Sequence, residues 1–285
     1  MTKSESFCFN VDNPKIQEQY RQYHNYKVEY NSNGNQDVCV IYFTSHALYY
    51  PNTEQSFIDN VIDSDTYEWY KTRHLSAGMH VFVRDVFKQW YLKGINSELC
   101  SIEKLSRFLS DLTIGKNVIC IGASAGGYAA MLIGSIIGAK TVIAFNPQIN
   151  LEYEYKNSTE AENALLHRLI STDARQYYDL NRFLNAKTDI YYVYSSDSEW
   201  DINQLKNLNM INSYVNIISV KSDCHGVPIP KPILREFISA PKEKLINFVN
   251  ADIKPILIMV SFSLRKTLEY YADHYCQIIR NKICR

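Results

Sequence analysis

Val118-Ile119-Cys120-Ile121-Gly122-Ala123-Ser124-Ala125-Gly126-Gly127-Tyr128-Ala129-Ala130 is the stretch whose reading decides the fold. An apolar, β-prone run stops at a glycine, a serine follows between small residues, and a helix-forming segment begins at once. That is Gly-x-Ser-x-Gly in a strand–turn–helix setting, the pattern of a nucleophile elbow. The turn forces the serine backbone into a strained conformation, so its neighbours must be nearly without side chains. Gly122, Ala123, Ala125, Gly126 and Gly127 meet that demand. A hydroxyl held there stands above the sheet edge, close to the positive end of the following helix. The plainer alternative is a glycine-rich turn that only packs tightly. A phosphate-binding Gly-x-x-x-x-Gly-Lys-Ser/Thr loop and a dinucleotide-binding Gly-x-Gly-x-x-Gly turn both fail to match.

Working outward from the elbow, apolar strand candidates recur at Tyr26–Tyr30, Val38–Phe43, Met79–Val83, Lys140–Phe145, 188–194 and 214–220. Helical spacing runs through Leu99, Ile102, Leu105, Phe108, Leu109 and Leu112, then over about 125–138, closed by Gly138. Further helical stretches are expected near 201–210, 232–239 and 242–250. Continuous apolar strands alternating with helices predict a mostly parallel sheet covered on both faces. Ligand sites in such sheets lie at the carboxyl ends of the strands. Residues 150–186 interrupt the alternation, and their helical spacing predicts a lid over those strand ends. Residues 1–250 are thus expected to form one catalytic domain.

Residues 251–285 are expected to add a C-terminal amphipathic helix. Pro255 would open it, and Leu257, Val260, Leu264, Leu268, Tyr271, Tyr275 and Ile278 would form its apolar stripe. Such a helix would dock on its own domain, pair with a second copy, or touch a membrane surface with Arg280, Lys282 and Arg285.

Composition narrows the function classes. Thirty basic and thirty acidic residues cancel to a net charge of 0, which argues against nucleic acid as a partner. At 46% hydrophobic and 21% charged residues, a folded globular chain is expected. No apolar run reaches the length of a spanning helix, and the polar start lacks a secretory leader's apolar core. The seven cysteines include no Cys-x-x-Cys pair, which fits a reducing, cytoplasmic setting. No metal-ligand spacing stands out, so neither metal nor prosthetic group is expected.

A serine nucleophile needs a base, and the base needs an orienting acid. Behind a nucleophile elbow the chain order is serine, acid, histidine. Asp197 follows a late strand and is the expected acid; its competing role is part of a helix cap in Ser195-Ser-Asp-Ser-Glu. Asp201 stands in reserve. His225, in the loop after the last strong strand candidate, is the expected base. The other histidines read as surface or structural, except that His46 lies close enough to border the pocket. The oxyanion needs two donors. Ala125 should offer its backbone N–H, and Thr44 or Ser45, after an early strand, should offer the second. Trp69, Tyr70, Trp90 and Tyr91 could stack on a sugar or serve as core. Lys71, Arg73, Arg84 and Lys88 could meet phosphates or be surface charges.

With these residues in place, the chain resembles the α/β-hydrolase fold over roughly residues 26–250. Within that fold, Gly122-Ala-Ser-Ala-Gly-Gly-Tyr-Ala-Ala and Ala144-Phe-Asn-Pro-Gln148 are similar to the small α/β-hydrolase-like proteins of bacterial surface-polysaccharide clusters, among them capsule O-acetyltransferases. The resemblance implies acetyl-CoA as acyl donor, a carbohydrate hydroxyl as acceptor and an acyl-serine intermediate, in the bacterial cytoplasm or peripheral at the inner membrane. A carboxylesterase or deacetylase with the same residues, and a non-catalytic scaffold of glycan assembly or export, are the alternatives.

Overall fold

The chain is described by a computed structural model over residues 11–209 and 214–272. Eight strands form one sheet: β1 (Tyr26–Tyr30), β2 (Asn35–Phe43), β3 (Ala77–Val83), β4 (Asn117–Ala123), β5 (Thr141–Phe145), β6 (Asp189–Ser195), β7 (Val215–Val220) and β8 (Asp252–Ile253). Their spatial order is β1-β3-β2-β4-β5-β6-β7-β8. Every neighbouring pair is parallel except β1 with β3. The helices are α1 (Pro14–Gln22), α2 (Glu54–Phe57), α3 (Ile102–Leu112), α4 (Ala125–Ile137), α5 (Leu151–Lys156), α6 (Ala164–Arg168), α7 (Glu199–Lys206), α8 (Lys231–Ile238), α9 (Lys242–Leu245) and α10 (Pro255–Phe262). A mostly parallel sheet with an antiparallel edge strand, and an elbow serine after the central strand β4, is the α/β-hydrolase fold that the sequence leads one to expect.

The sheet buries both faces, and its side chains alternate between two cores. Cys39, Ile41 and Phe43 of β2, Cys120 of β4 and Val142 and Ala144 of β5 join α3 and α4 on one side. Val40 and Tyr42, Ile121 and Ala123, and Ile143 and Phe145 join α8, α9 and α10 on the other. This period of two explains why the strands read as unbroken apolar runs. Burial pushes the Cys39 thiol up to about 12, so it packs as a small hydrophobe. Along α4 every residue from Ala125 to Ser135 is buried, and Gly138 closes the helix at φ 67°. A third cluster, with Ile16, Tyr20, Tyr49, Phe57, Val86, Phe87 and Leu165, caps the strand ends from the N-terminal side.

Residues 150–186 divide into two parts. α5 and α6 follow β5 in the chain and precede β6. Tyr177, Tyr178, Leu180 and Leu184 belong to the main core, where the Tyr128 hydroxyl donates to the Tyr177 carbonyl at 2.7 Å. The sheet also runs past residue 250, because β8 pairs with β7 through Ser219–Asp252 and Val220–Ile253.

α10 starts at Pro255 as expected, but Ser263 interrupts the helix before it resumes over 264–272. The helix docks through Ile258 and Met259, while Leu257, Val260, Leu264 and Leu268 face solvent. Four of the expected stripe residues therefore face outward, on both sides of the break at Ser263, while Tyr271 packs against the core. Tyr275, Ile278, Arg280, Lys282 and Arg285 lie outside the described residues. Among the described residues, no helix is long and apolar enough to cross a membrane.

Two stability outcomes follow. A Cβ on Gly126 would sit 2.4 Å from the Phe43 carbonyl oxygen and 2.8 Å from that of Thr44. Gly126→Ala should therefore cost about 3 kcal/mol or more in urea unfolding, since backbone rather than a pliable side chain must move. Burial lowers the pKa of His74 to about 4. The unfolded chain then binds the proton more readily, so the histidine's contribution is complete above about 6.5 and fades as pH falls towards 4. Between pH 7 and 5 it should cost about 1–2 kcal/mol of stability. Thermal melts across that range should fall, and His74→Gln should flatten the slope.

Candidate active site

Ser124 stands between β4 and α4 with φ 51° and ψ −122°, a conformation that costs a non-glycine residue of order 1–3 kcal/mol. It persists because β4 and α4 cross almost in contact. A Cβ on Gly122 would lie 2.1 Å from the Gly126 carbonyl oxygen, and one on Gly127 would meet the Pro147 Cβ at 3.0 Å. The Ser124 amide donates to the Phe145 carbonyl at 2.8 Å, which ties the elbow to the neighbouring strand. As the first residue of α4, Ala125 has no intrahelical acceptor for its N–H.

His225 Nε2 is 2.9 Å from Ser124 Oγ, across 101 positions of sequence, and His225 Nδ1 is 2.8 Å from Asp201 Oδ1. For the serine to donate to Nε2, the imidazole proton must sit on Nδ1 and point at Asp201. The Asp201 side chain is 1% exposed, and that of His225 is 40% exposed. Among the described residues, Asp201 Oδ2 has no hydrogen-bond partner. The carboxylate's charge is thus answered mainly through Oδ1, by the imidazole.

The sequence expectation of Asp197 is corrected here. Asp197 lies exposed in the turn that leaves β6, where its amide donates to the Ser222 carbonyl at 3.0 Å. Ser198 then caps α7, its hydroxyl accepting from the Asp201 amide at 3.4 Å. Capping at Ser198 places the residue three positions on within the first turn, on the inward face. The Ser-x-x-Asp spacing of Ser198–Asp201 was the available signal, since it resembles a capping box in which the acidic residue reaches His225 instead of the cap amide.

The histidine loop is gripped by Asn146. Its Nδ2 donates to the carbonyls of Cys224 and Gly226, each at 3.2 Å, on either side of His225. Its Oδ1 accepts from the Ser195 amide at 2.8 Å, and the Ser195 hydroxyl donates to the Cys224 carbonyl at 2.7 Å. One buried amide thereby joins the ends of β5 and β6 to the base. Two residues on, Gln148 directs its Nε2 at Ser124 Oγ, 3.2 Å away, and accepts from Trp90 Nε1 at 3.0 Å. The Asn146-Pro147-Gln148 signature therefore has a physical meaning: histidine loop, glycine contact and serine contact in three residues.

Trp90 is held in turn by an irregular segment after β3. Lys88, Trp90 and Tyr91 all have positive φ, at 55°, 53° and 59°. Asp85 makes this possible, its carboxylate accepting from the amides of Phe87 at 3.0 Å, Gln89 at 2.7 Å and Tyr91 at 2.9 Å. Burial pushes its pKa up to about 6 although those amides pull it down. Gln89 Oε1 accepts from the Leu165 amide at 3.1 Å and so joins this segment to α6.

Thr44 and Ser45 are committed elsewhere. The Thr44 amide donates to the Val83 carbonyl at 3.1 Å, and its hydroxyl meets that of Tyr91 at 3.1 Å. The Ser45 amide and hydroxyl both donate to the half-buried Glu68 carboxylate, each at 2.9 Å. An acid close in space occupies these donors, and nothing local in the sequence announces it. Three of the four cations considered for phosphate are likewise engaged. Arg73 pairs with Glu29, Arg84 with Asp65 at 2.9 Å, and Lys88 Nζ donates to the Tyr49 carbonyl at 2.9 Å. Trp69 and Tyr91 are packing residues; Trp69 stacks on Phe145 at 5.8 Å between ring centres.

Around Ser124 and His225 lies a cleft of about 280 Å³, lined also by His46, Trp90, Gln148, Glu154, Asn163 and Trp200. His46 packs edge-on against Trp90 at 4.8 Å, and burial lowers its pKa to about 3, so it is neutral at ordinary pH. Glu154 is raised to about 7 by burial and accepts from Gln204 Nε2 at 2.8 Å. Trp200 is exposed and meets Tyr153 edge-on.

No protein-family model and no curated protein sequence matches the chain. A protein of unknown function from Staphylococcus aureus subsp. aureus Mu50 superposes with a TM-score of 0.50 at 11% identity, over 78% of this chain and 94% of its own. The capsule O-acetyltransferase of Neisseria meningitidis serogroup A superposes with a TM-score of 0.46 at 15% identity, over 79% and 93%. Carboxyl esterase 2 from Tuber melanosporum gives 0.45 at 14% identity, over 79% and 82%. At such identities the likeness concerns the fold alone; it is the chain's own strand order, antiparallel edge strand and elbow after β4 that make it an α/β-hydrolase fold.

Proposed function

We propose that this protein transfers acyl groups through an acyl-enzyme on Ser124. The observation that carries the proposal is the unbroken relay Ser124 Oγ–His225–Asp201, at 2.9 and 2.8 Å, in an open cleft. His225 takes the serine proton as Oγ attacks a carbonyl, then returns it to the leaving group. Asp201 holds the tautomer and stabilises the imidazolium. The partnerless Oδ2 leaves the positive ring as the charge that best answers the carboxylate. Ala125 contributes its N–H to the developing oxyanion.

The preferred reaction is O-acetylation of a carbohydrate, a bacterial surface polysaccharide or its precursor, with acetyl-CoA as donor in the cytoplasm. A cleft of about 280 Å³ suits a short acyl group. The exposed Trp200 indole offers a sugar a stacking face, and Glu154 and Asn163 beside it can meet hydroxyls. The Asn146-Pro147-Gln148 signature supports the same choice. Hydrolysis by a carboxylesterase is the second possibility, and one observation favours it: His225 is open enough to deliver water to the acyl-enzyme.

Incubation with acetyl-CoA, with and without acetyl-free glycans, separates the two. CoA release that depends on acceptor supports transfer, whereas efficient acceptor-free cleavage of small esters supports hydrolysis. A fluorophosphonate should label the protein covalently, and Ser124→Ala should abolish both labelling and turnover. Asp201→Asn should lower kcat by about 10³- to 10⁴-fold by favouring the wrong tautomer, while Asp197→Asn stays within about threefold of the parent.

A further inference from the structure

We propose that Gln148 supplies the second oxyanion donor through its side-chain amide; the inference rests on the acyl-serine function proposed above. Thr44 and Ser45, the residues after β2 from which the second donor is expected, have their amides bonded to the Val83 carbonyl and to Glu68. Gln148 is 3% exposed and borders the same cleft. Its orientation is determined, because Trp90 Nε1 can only donate, so the atom accepting from it at 3.0 Å is the carbonyl oxygen Oε1. The nitrogen is then the atom 3.2 Å from Ser124 Oγ.

In the resting enzyme this N–H donates to an Oγ lone pair while the Oγ proton lies towards His225 Nε2. When Oγ attacks, the Oγ–carbon bond forms, the serine proton passes to Nε2, and the carbonyl π pair moves onto its oxygen. That oxygen is one bond angle away from Oγ on the same carbon, so a small swing of the amide brings Nε2 to the new charge. Collapse returns the pair to the carbonyl and expels the leaving group with the proton from His225. The cost of the swing is low because Trp90, locked by the Asp85-bound segment, keeps the opposite end of the amide in place. Donors fixed before the reaction are the ones that act most strongly on developing charge.

Gln148→Met keeps the length and removes the donor; Gln148→Ala removes the side chain beyond Cβ. With p-nitrophenyl acetate as probe, both should lower kcat about 10²-fold or more with KM within about threefold, the signature of a contact made only in the transition state. Phenylboronic acid forms a tetrahedral serine adduct, so its inhibition constant should rise in the same variants, whereas a merely structural role would leave it unmoved in variants whose melts match the parent. If both variants keep kcat within about threefold, or the boronate constant is unchanged, the assignment is overturned. If Ser124→Ala itself retains turnover, the acyl-serine function fails first and takes this proposal with it, so the two failures are distinguishable.

Discussion

Ser124 keeps a positive φ of 51° only because β4 and α4 approach each other as closely as backbone atoms allow. The Gly126 carbonyl fills the space that a Cβ on Gly122 would need, and the carbonyls of Phe43 and Thr44 fill that of Gly126. This steric constraint comes before any chemistry. It turns the hydroxyl out of the sheet, sets the angle at which α4 enters the core, and leaves the first amides of that helix without intrahelical acceptors beside the Ser124 hydroxyl. The apolar surface that α4 buries along its length compensates for the strain at its start.

Around that point, the site is held by buried and half-buried polar groups. Asn146 grips the backbone on both sides of His225. Asp85 stabilises a run of left-handed residues that delivers Trp90, and Trp90 orients Gln148. Glu68 binds down the loop after β2. Each of these groups is expensive to bury and becomes tolerable only when its partners are in place. The Ser124 hydroxyl is thereby flanked by buried, fully bonded groups on one side, and the cleft opens on the other at His225 and Trp200.

The positions of β1 to β7, α4 and its closing glycine are close to those expected, because the central strands are buried on both faces and the breaks carry glycine, proline or polar signals. Ser124 and His225 were legible for the same reason, since their local settings are distinctive. The acid was harder to place. Asp197 and Asp201 are four residues apart on either side of a helix start, and only the capping of α7 by Ser198 decides which one turns inward. The tail stripe misled in a similar way: Leu257, Val260, Leu264 and Leu268 keep a helical spacing, but they face solvent and the docking face of α10 is Ile258 and Met259.

By itself, the sequence determined the sheet-and-helix order, the elbow and the serine–histidine pair, because periodicity and glycine placement are local properties of a chain. Tertiary structure alone decided that Asp201 backs the histidine, that Glu68 occupies the donors of Ser45, and that Gln148 faces Ser124. These are contacts between residues 23 or 24 positions apart. Their geometry depends on how the strand ends converge, and no pattern along the chain encodes that convergence.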